Sequence, residues 1–210
     1  ISFADDFMAR QGYDPKAMTP PAILGRKMAD ILLRARMDDG ANEHGGYLDP
    51  GHWTFEDPAV VSSWQPVSAD TMRTELQVPV TPHWGGLPPF AIGNGDAFRP
   101  PAPPQSGTAE WDKQISTLLD TSANLDDQRK ATAEYWANFI SQPPSHLVIL
   151  TKFVSLRDDM RLDDDIAMFF AVGNALYDTS IASWDAKYNY DYLRPVNGIR
   201  RLGRKVMAWD

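Results

Sequence analysis

The sequence contains no cysteine, so a disulfide framework, a thiolate metal site and a thiol nucleophile are all excluded. It also has no apolar run of about 20 residues, the length that a membrane-spanning helix needs, and we expect no membrane span. Basic residues number 20 against 28 acidic ones and form no stripe, which argues against a nucleic-acid binder. The net charge of −8 does not forbid an anionic substrate, because a binding site needs only local positive charge.

The 210 residues, 43% of them apolar, suffice for one domain with a sizeable core, and we predict a single domain over residues 1–210. The chain starts at Ile1 rather than Met and stops at Asp210 without a tail-like composition. We therefore expect it to be an incomplete part of a larger α-helical domain. The sequence leaves the oligomeric state open, a homo-oligomer included. It also leaves the compartment open, with a secreted or periplasmic location slightly favoured.

Apolar residues recur at helical spacing in several segments, with Pro or Gly between them. The first predicted helix covers 20–37. Ser106 or Thr108 is expected to cap a second helix and Asp126 a third. The predicted fold class is mainly α, a helical bundle whose core helices lie at about 108–195.

A long helix is predicted to open at the acidic run 163–165, since negative charge at a helix start complements the dipole. Its pattern can continue to Leu193, with Pro195 ending it. An apolar run at 147–156 precedes it.

The stretch at about 40–107 is rich in Pro, Gly and aromatic residues and shows no regular period. A structureless loop of that length is unusual in a compact domain, whereas a disordered linker is normally poor in aromatic residues. We interpret it as an ordered belt held against the core by its rings, which are Tyr47, Trp53, Phe55, Trp64, Trp84, Phe90 and Phe98.

The residues that most clearly indicate a binding site lie between Lys187 and Pro195. On one continuous helix Lys187 and Arg194 would lie two turns apart on nearly the same face, with Trp184 nearby. Lys offers a point charge and Arg a planar fork of donors, a combination that suits a tetrahedral oxyanion. The alternative is that both are surface residues paired with Asp191 or Asp185, and spacing alone does not exclude it.

The Lys187-x6-Arg194-Pro195 pattern resembles the first signature of the vanadium-dependent haloperoxidases and the related type 2 phosphatidic acid phosphatases. The surrounding residues 174–200 resemble the haloperoxidase branch. So do three segments of the belt: Pro82-His83-Trp84-Gly85, Pro89-Phe90-Ala91 and Phe98-Arg99-Pro100-Pro101-Ala102-Pro103-Pro104.

The resemblance implies a vanadate-dependent enzyme that oxidises halide with hydrogen peroxide. Lys187 and Arg194 would bind the oxygens of vanadate, Trp184 would line the cavity, and no side chain of this chain would ligate the metal directly. The same oxyanion site implies a second hypothesis, hydrolysis of a small phosphoester by an acid phosphatase with no cofactor.

The second and third signatures of that superfamily, which carry its His residues, are absent from these 210 residues. Pro144-Ser145-His146 lacks the Gly of the second signature and precedes Lys187, so we reject it as that signature. We therefore assign no catalytic residue within this chain. A third hypothesis follows, a non-catalytic fragment or binding module that keeps only the scaffold.

Other candidates are better explained by structure than by chemistry. The four His residues are expected to be loop or belt hydrogen-bonders; they are His44, His52, His83 and His146. The acidic turn 38–43 lacks the spacing of a helix-loop-helix calcium site, and a helix end is favoured there. Asp178 could support an Arg of the oxyanion site. The acidic group 158–165 is interpreted as a solvated loop and helix cap rather than a cation site.

Overall fold

The computed structural model describes residues 2–48, 63–66, 79–137 and 143–202. Within those ranges the regular structure is helical, apart from an isolated antiparallel bridge between Ser63 and Tyr192. The predicted mainly α class is confirmed. The helices are α1 (Ser2–Arg10), α2 (Pro20–Arg36), α3 (Ala109–Ala123), α4 (Asp127–Ala137), α5 (Pro143–Arg157), α6 (Leu162–Tyr190) and α7 (Pro195–Arg201).

The helix starts follow the local sequence. The Thr108 hydroxyl accepts the Trp111 backbone N–H at the start of α3, and the Asp126 carboxylate accepts the Arg129 N–H at the start of α4. Proline opens α2, α5 and α7, where its missing N–H costs no helical hydrogen bond. Helix α1 was not predicted.

The predicted continuation of the long helix to Leu193 is wrong. Helix α6 ends at Tyr190, and Asp191 adopts a left-handed conformation with φ 43°. Arg194 is extended because the α region is disfavoured for a residue that precedes proline. Pro195 therefore starts α7 rather than ending α6, and Lys187 and Arg194 do not share a helix.

Two small apolar clusters hold the described part of the chain together. The first joins Ile181 of α6 to Ala41 and Leu87 of the belt, with Trp84 and Tyr177 packed against it. The second joins Trp111 and Ile115 of α3 to Leu193, with Leu119, Tyr192 and Ile199 at its edge. Helix α6 thus contacts the belt, whereas α7 contacts α3.

Gly85 lets the belt approach the α6 backbone, and Gly95 lets the belt pack closely on itself beside α6. A Cβ on Gly85 would lie 2.5 Å from the Asp185 backbone nitrogen. A Cβ on Gly95 would lie 2.6 Å from the Gly85 carbonyl oxygen and 3.3 Å from a methyl of Ile181. The distances of 2.5 Å at Gly85 and 2.6 Å at Gly95 are shorter than packed side chains tolerate, so the belt can lie on α6 only with glycine at these positions.

A buried carboxylate of α6 fastens the same part of the belt. The Asp178 oxygens accept the backbone N–H groups of Phe90, Ala91 and Ile92 at 2.6, 2.7 and 3.1 Å. Burial raises the pKa of Asp178, but these three hydrogen bonds and the positive charge of Arg36 outweigh it, and the pKa lies below its ordinary value.

Further α6 side chains extend this attachment. Trp84 Nε1 donates to Ser180 Oγ at 2.7 Å, and the Tyr190 hydroxyl donates to the Pro100 carbonyl at 2.6 Å. The prediction that aromatic rings hold the belt against the core is therefore correct for Trp84 but wrong for Phe98, which is 73% exposed. Trp53 and Phe55 lie outside the described residues.

We predict that Gly85→Ala lowers the free energy of unfolding by about 3 kcal/mol or more, because the new methyl group would overlap the rigid backbone of α6. Urea unfolding followed by circular dichroism measures the change. Gly86→Ala is the matched control, since a Cβ there meets nothing within 4 Å. Equal losses in the two variants would contradict the close approach at Gly85.

We predict that Asp178→Asn costs about 2–4 kcal/mol at neutral pH, because the amide offers one acceptor oxygen to three backbone donors. The folded-state pKa of Asp178 is lowered, so the carboxylate stabilises the fold above its ordinary pKa. That contribution is lost as pH falls through the folded-state pKa.

The difference between wild type and Asp178→Asn should therefore be largest at neutral pH and shrink below about pH 4. Urea unfolding of both proteins over this range measures it. A difference that stays constant with pH would show that the charge of Asp178 does not hold the belt.

Candidate oxyanion site

Lys187 lies in the last turn of α6, and its position is set by an aromatic neighbour. Its ammonium nitrogen stands 4.1 Å from the centroid of the Trp184 ring, a cation–π distance. The Trp184 indole N–H donates to the Val80 carbonyl at 2.8 Å, and the Tyr188 hydroxyl reaches the same oxygen at 3.3 Å. The belt therefore holds Trp184, and Trp184 orients Lys187.

Arg194 reaches the same region from a different element. It is half-buried at the residue before α7, next to Leu193, which is buried in the second apolar cluster. Partial desolvation lowers the pKa of Lys187, and the positive charge of Arg194 lowers it further. The prediction that the two cations share one helical face is wrong, although the positive charge of Arg194 still acts on Lys187 from a separate element.

Asp185 and Asp191, the acidic residues near these cations in sequence, each have a contact with the belt or with residue 64. Asp185 forms a bidentate ion pair with Arg99, whose Nε and Nη2 donate to the two carboxylate oxygens at 2.6 and 2.7 Å. This ion pair lowers the pKa of Asp185. The Asp191 carboxylate accepts the Trp64 backbone N–H at 3.3 Å. Within the described ranges no carboxylate forms an ion pair with Lys187.

The remaining candidate residues make structural contacts away from Lys187 and Arg194. Asp178 binds the belt backbone rather than an Arg of this site. His146 is not a loop hydrogen-bonder as predicted: it is buried in α5, its ring 4.2 Å from that of Tyr135, and its Nδ1 has no hydrogen-bond partner among the described residues. His52 lies outside the described residues.

The acidic turn after α2 adopts a local hydrogen-bonded conformation. The Asp39 carboxylate accepts the Ala41 N–H at 3.1 Å, as expected for a helix-ending turn. An open cavity of about 520 Å³ lies beside it; its lining includes His44 and His83 but neither Lys187 nor Arg194. In the part of the chain that the structure describes, no group of three or more His, Asp or Glu residues is placed to hold a metal ion.

Two contacts around the site were missed by sequence reasoning. The Arg99–Asp185 ion pair joins residues 86 positions apart, and no local pattern relates them. The Trp184–Val80 hydrogen bond uses a backbone carbonyl, which carries no sequence signal. The only available hint was that Arg99 and Asp185 both lie in segments that resemble the haloperoxidases.

The comparisons with known proteins find relatives among the vanadium haloperoxidases. Residues 167–210, which include Lys187 and Arg194, match the family model of the VCPO second helical-bundle domain. Over 211 aligned residues the chain is 24% identical to the vanadium chloroperoxidase of Curvularia inaequalis, and the match covers 87% of this chain. The resemblance to the vanadium-dependent haloperoxidases is confirmed.

Solved haloperoxidase structures share the fold over nearly the whole chain. A bacterial vanadium-dependent chloroperoxidase in its apo form superposes with a TM-score of 0.74 at 26% identity over 97% of this chain, and its holo form does so equally well. A bacterial vanadium-dependent iodoperoxidase, at 21% identity and a TM-score of 0.64, shows the fold alone.

The chain is shorter than these haloperoxidases. It spans 35% of the Curvularia inaequalis protein and 52% of the bacterial apo chloroperoxidase. The match to the family model starts inside α6 and contains both cations of the candidate site. No helix in the described ranges is long and apolar enough to cross a membrane.

Proposed function

We propose that this chain supplies the Lys187 and Arg194 half of a vanadate-binding site in a haloperoxidase-like enzyme that oxidises halide with hydrogen peroxide. The observation that carries the proposal is the Lys187-x6-Arg194-Pro195 pattern inside the segment that matches the VCPO second helical-bundle domain, together with a Lys187 ammonium that lies against the Trp184 ring and forms no carboxylate ion pair in the described residues.

The two side chains suit an oxyanion such as vanadate. Lys187 presents a compact ammonium and Arg194 a planar fork, so together they can donate several charge-assisted hydrogen bonds to one anion. When bound, vanadate supplies the Lewis-acid chemistry with which peroxide oxidises halide. The role of this chain is to bind the anion with Lys187 and Arg194 and to orient the Lys187 ammonium through Trp184.

The match to haloperoxidases supports this function over hydrolysis of a small phosphoester at the same site. The four His residues of the sequence include none in the later signatures, so halide oxidation requires acid–base groups from outside these 210 residues. A binding module without catalytic activity is the outcome expected if such groups are missing.

We predict that Lys187→Ala and Arg194→Ala each weaken vanadate binding about 10-fold to 100-fold. Each variant removes a charge-assisted hydrogen bond worth roughly 1.5–3 kcal/mol. Isothermal titration with orthovanadate measures the affinity. Lys113→Ala, an exposed lysine on α3, is the control and should bind like wild type. Unchanged affinity in both site variants would show that these cations do not bind the anion.

We predict that the product of the complete reading frame containing these residues brominates a dye with peroxide when loaded with vanadate. Residues 1–210 alone should not, because they lack the acid–base His residues. Hydrolysis of nitrophenyl phosphate is measured in parallel. Hydrolysis without bromination would refute the haloperoxidase function in favour of the phosphatase, and the absence of both activities would leave a binding module.

A further inference from the structure

Three separate parts of the belt meet α6 at the same two residues, Trp184 and Asp185. The Val80 carbonyl accepts the Trp184 indole N–H at 2.8 Å. A Cβ on Gly85 would lie 2.5 Å from the Asp185 backbone nitrogen, so the two backbones are in direct contact. Arg99 donates to both carboxylate oxygens of Asp185, at 2.6 and 2.7 Å. The belt thus contacts a single turn of α6 at three points.

The Val80 carbonyl is presented to Trp184 by a strained piece of backbone. Thr81, the next residue, has φ 46°, in the left-handed region that a β-branched side chain disfavours. The surrounding contacts impose this conformation: the Thr81 carbonyl accepts the Trp84 backbone N–H at 3.0 Å, and the Trp84 indole is fixed by Ser180 of α6. Backbone strain of this kind concentrates at functional sites, which points to a role for these contacts beyond packing.

The ion pair of Arg99 and Asp185 is partly withdrawn from water, since the two side chains are only 29% and 15% exposed. A bidentate pair between a guanidinium and a carboxylate fixes orientation as well as distance. Without Arg99, a largely buried carboxylate would lose its partner, which is strongly unfavourable. The turn of α6 would then move to bring Asp185 to water, and Trp184 lies on that turn.

We propose that Arg99 is a positioning residue: by holding Asp185 it fixes the Trp184 ring, and through that ring the ammonium of Lys187. Residues three positions apart share a helical face, and the ammonium lies 4.1 Å from the centroid of the ring. The Lys187 side chain is otherwise exposed and has a flexible stem, so the ring determines where its charge lies. The consequence for vanadate binding rests on the proposed function, whereas the position of the ammonium does not.

The first test measures the position of the Lys187 ammonium without vanadate, in the product of the complete reading frame that contains these residues. Reductive methylation with isotopically labelled formaldehyde marks its lysines for NMR, and a methylated ammonium keeps its cation–π contact. The ring current of Trp184 should shift the Lys187 methyl signal upfield, and the Lys187→Arg variant identifies that signal by its absence. We expect Arg99→Gln, and separately Asp185→Asn, to move the signal towards the position of exposed lysines.

The second test asks whether Arg99 acts on the anion through Lys187. We expect Arg99→Gln to weaken orthovanadate binding by roughly 3-fold to 10-fold, since a displaced ammonium loses part of its charge-assisted hydrogen bond. In a Lys187→Ala background the same substitution should change the affinity by less than about 2-fold, because residues that act as a unit are not additive. Isothermal titration of the four proteins measures this cycle.

Arg157→Gln is the matched control. Arg157, at the end of α5, forms the same bidentate contact with Asp158, both hydrogen bonds being 2.7 Å long. Its substitution should change neither the Lys187 methyl signal nor the vanadate affinity. Asp185→Asn keeps the shape of its side chain and leaves the belt sequence intact, so it tests the same contact if Arg99→Gln loosens the belt. Circular dichroism verifies that each variant is folded.

A methyl signal that stays in place in both Arg99→Gln and Asp185→Asn would overturn the proposal. Losses of affinity that add in the Lys187→Ala background would also overturn it, since Arg99 would then act by another route. So would wild-type affinity in Arg99→Gln where Lys187→Ala binds weakly. If Lys187→Ala and Arg194→Ala both bind vanadate like wild type while the methyl signal moves in Arg99→Gln, the proposed function fails and the positioning role stands.

Discussion

A buried carboxylate in the middle of α6 accepts three consecutive backbone N–H groups of the belt, and the rest of the architecture follows from this contact. The belt forms only short 3-10 turns of its own, and each buried donor left unpaired costs about 1–3 kcal/mol. Asp178 provides the acceptors that a helix or a sheet would otherwise supply. The close approach at Gly85 then brings the belt backbone onto α6, so the helix serves as the template for this largely irregular segment.

The candidate site depends on this template. Val80 belongs to the belt and holds the indole of Trp184, which in turn lies against the ammonium of Lys187. The ion pair between Arg99 and Asp185 joins the belt to the same turn of α6 that carries Trp184.

The sequence predicted the helices well because caps and apolar spacing are local signals: Thr108, Asp126 and the acidic start of α6 all lie where their residue types require. The prediction of the end of α6 failed at Asp191. The apolar pattern continues past this residue, but the helix ends before it because Asp191 adopts a left-handed conformation. The belt was recognised by composition, but its attachment was not, since Asp178 and Arg99 bind partners more than 80 positions away. The pair Lys187 and Arg194 was identified by spacing and resemblance, although the geometry behind that spacing was wrong.

The break at Asp191 has a consequence for how the two cations are spaced. Lys187 belongs to the block formed by α6 and the belt, whereas Arg194 is carried by the block in which Gly198 of α7 packs against Trp111 and Ile115 of α3. A single rigid helix would fix their separation once and for all. Because the two cations belong to two blocks joined by a short bend, their separation depends on where α7 rests on α3, an apolar contact that involves neither charged group.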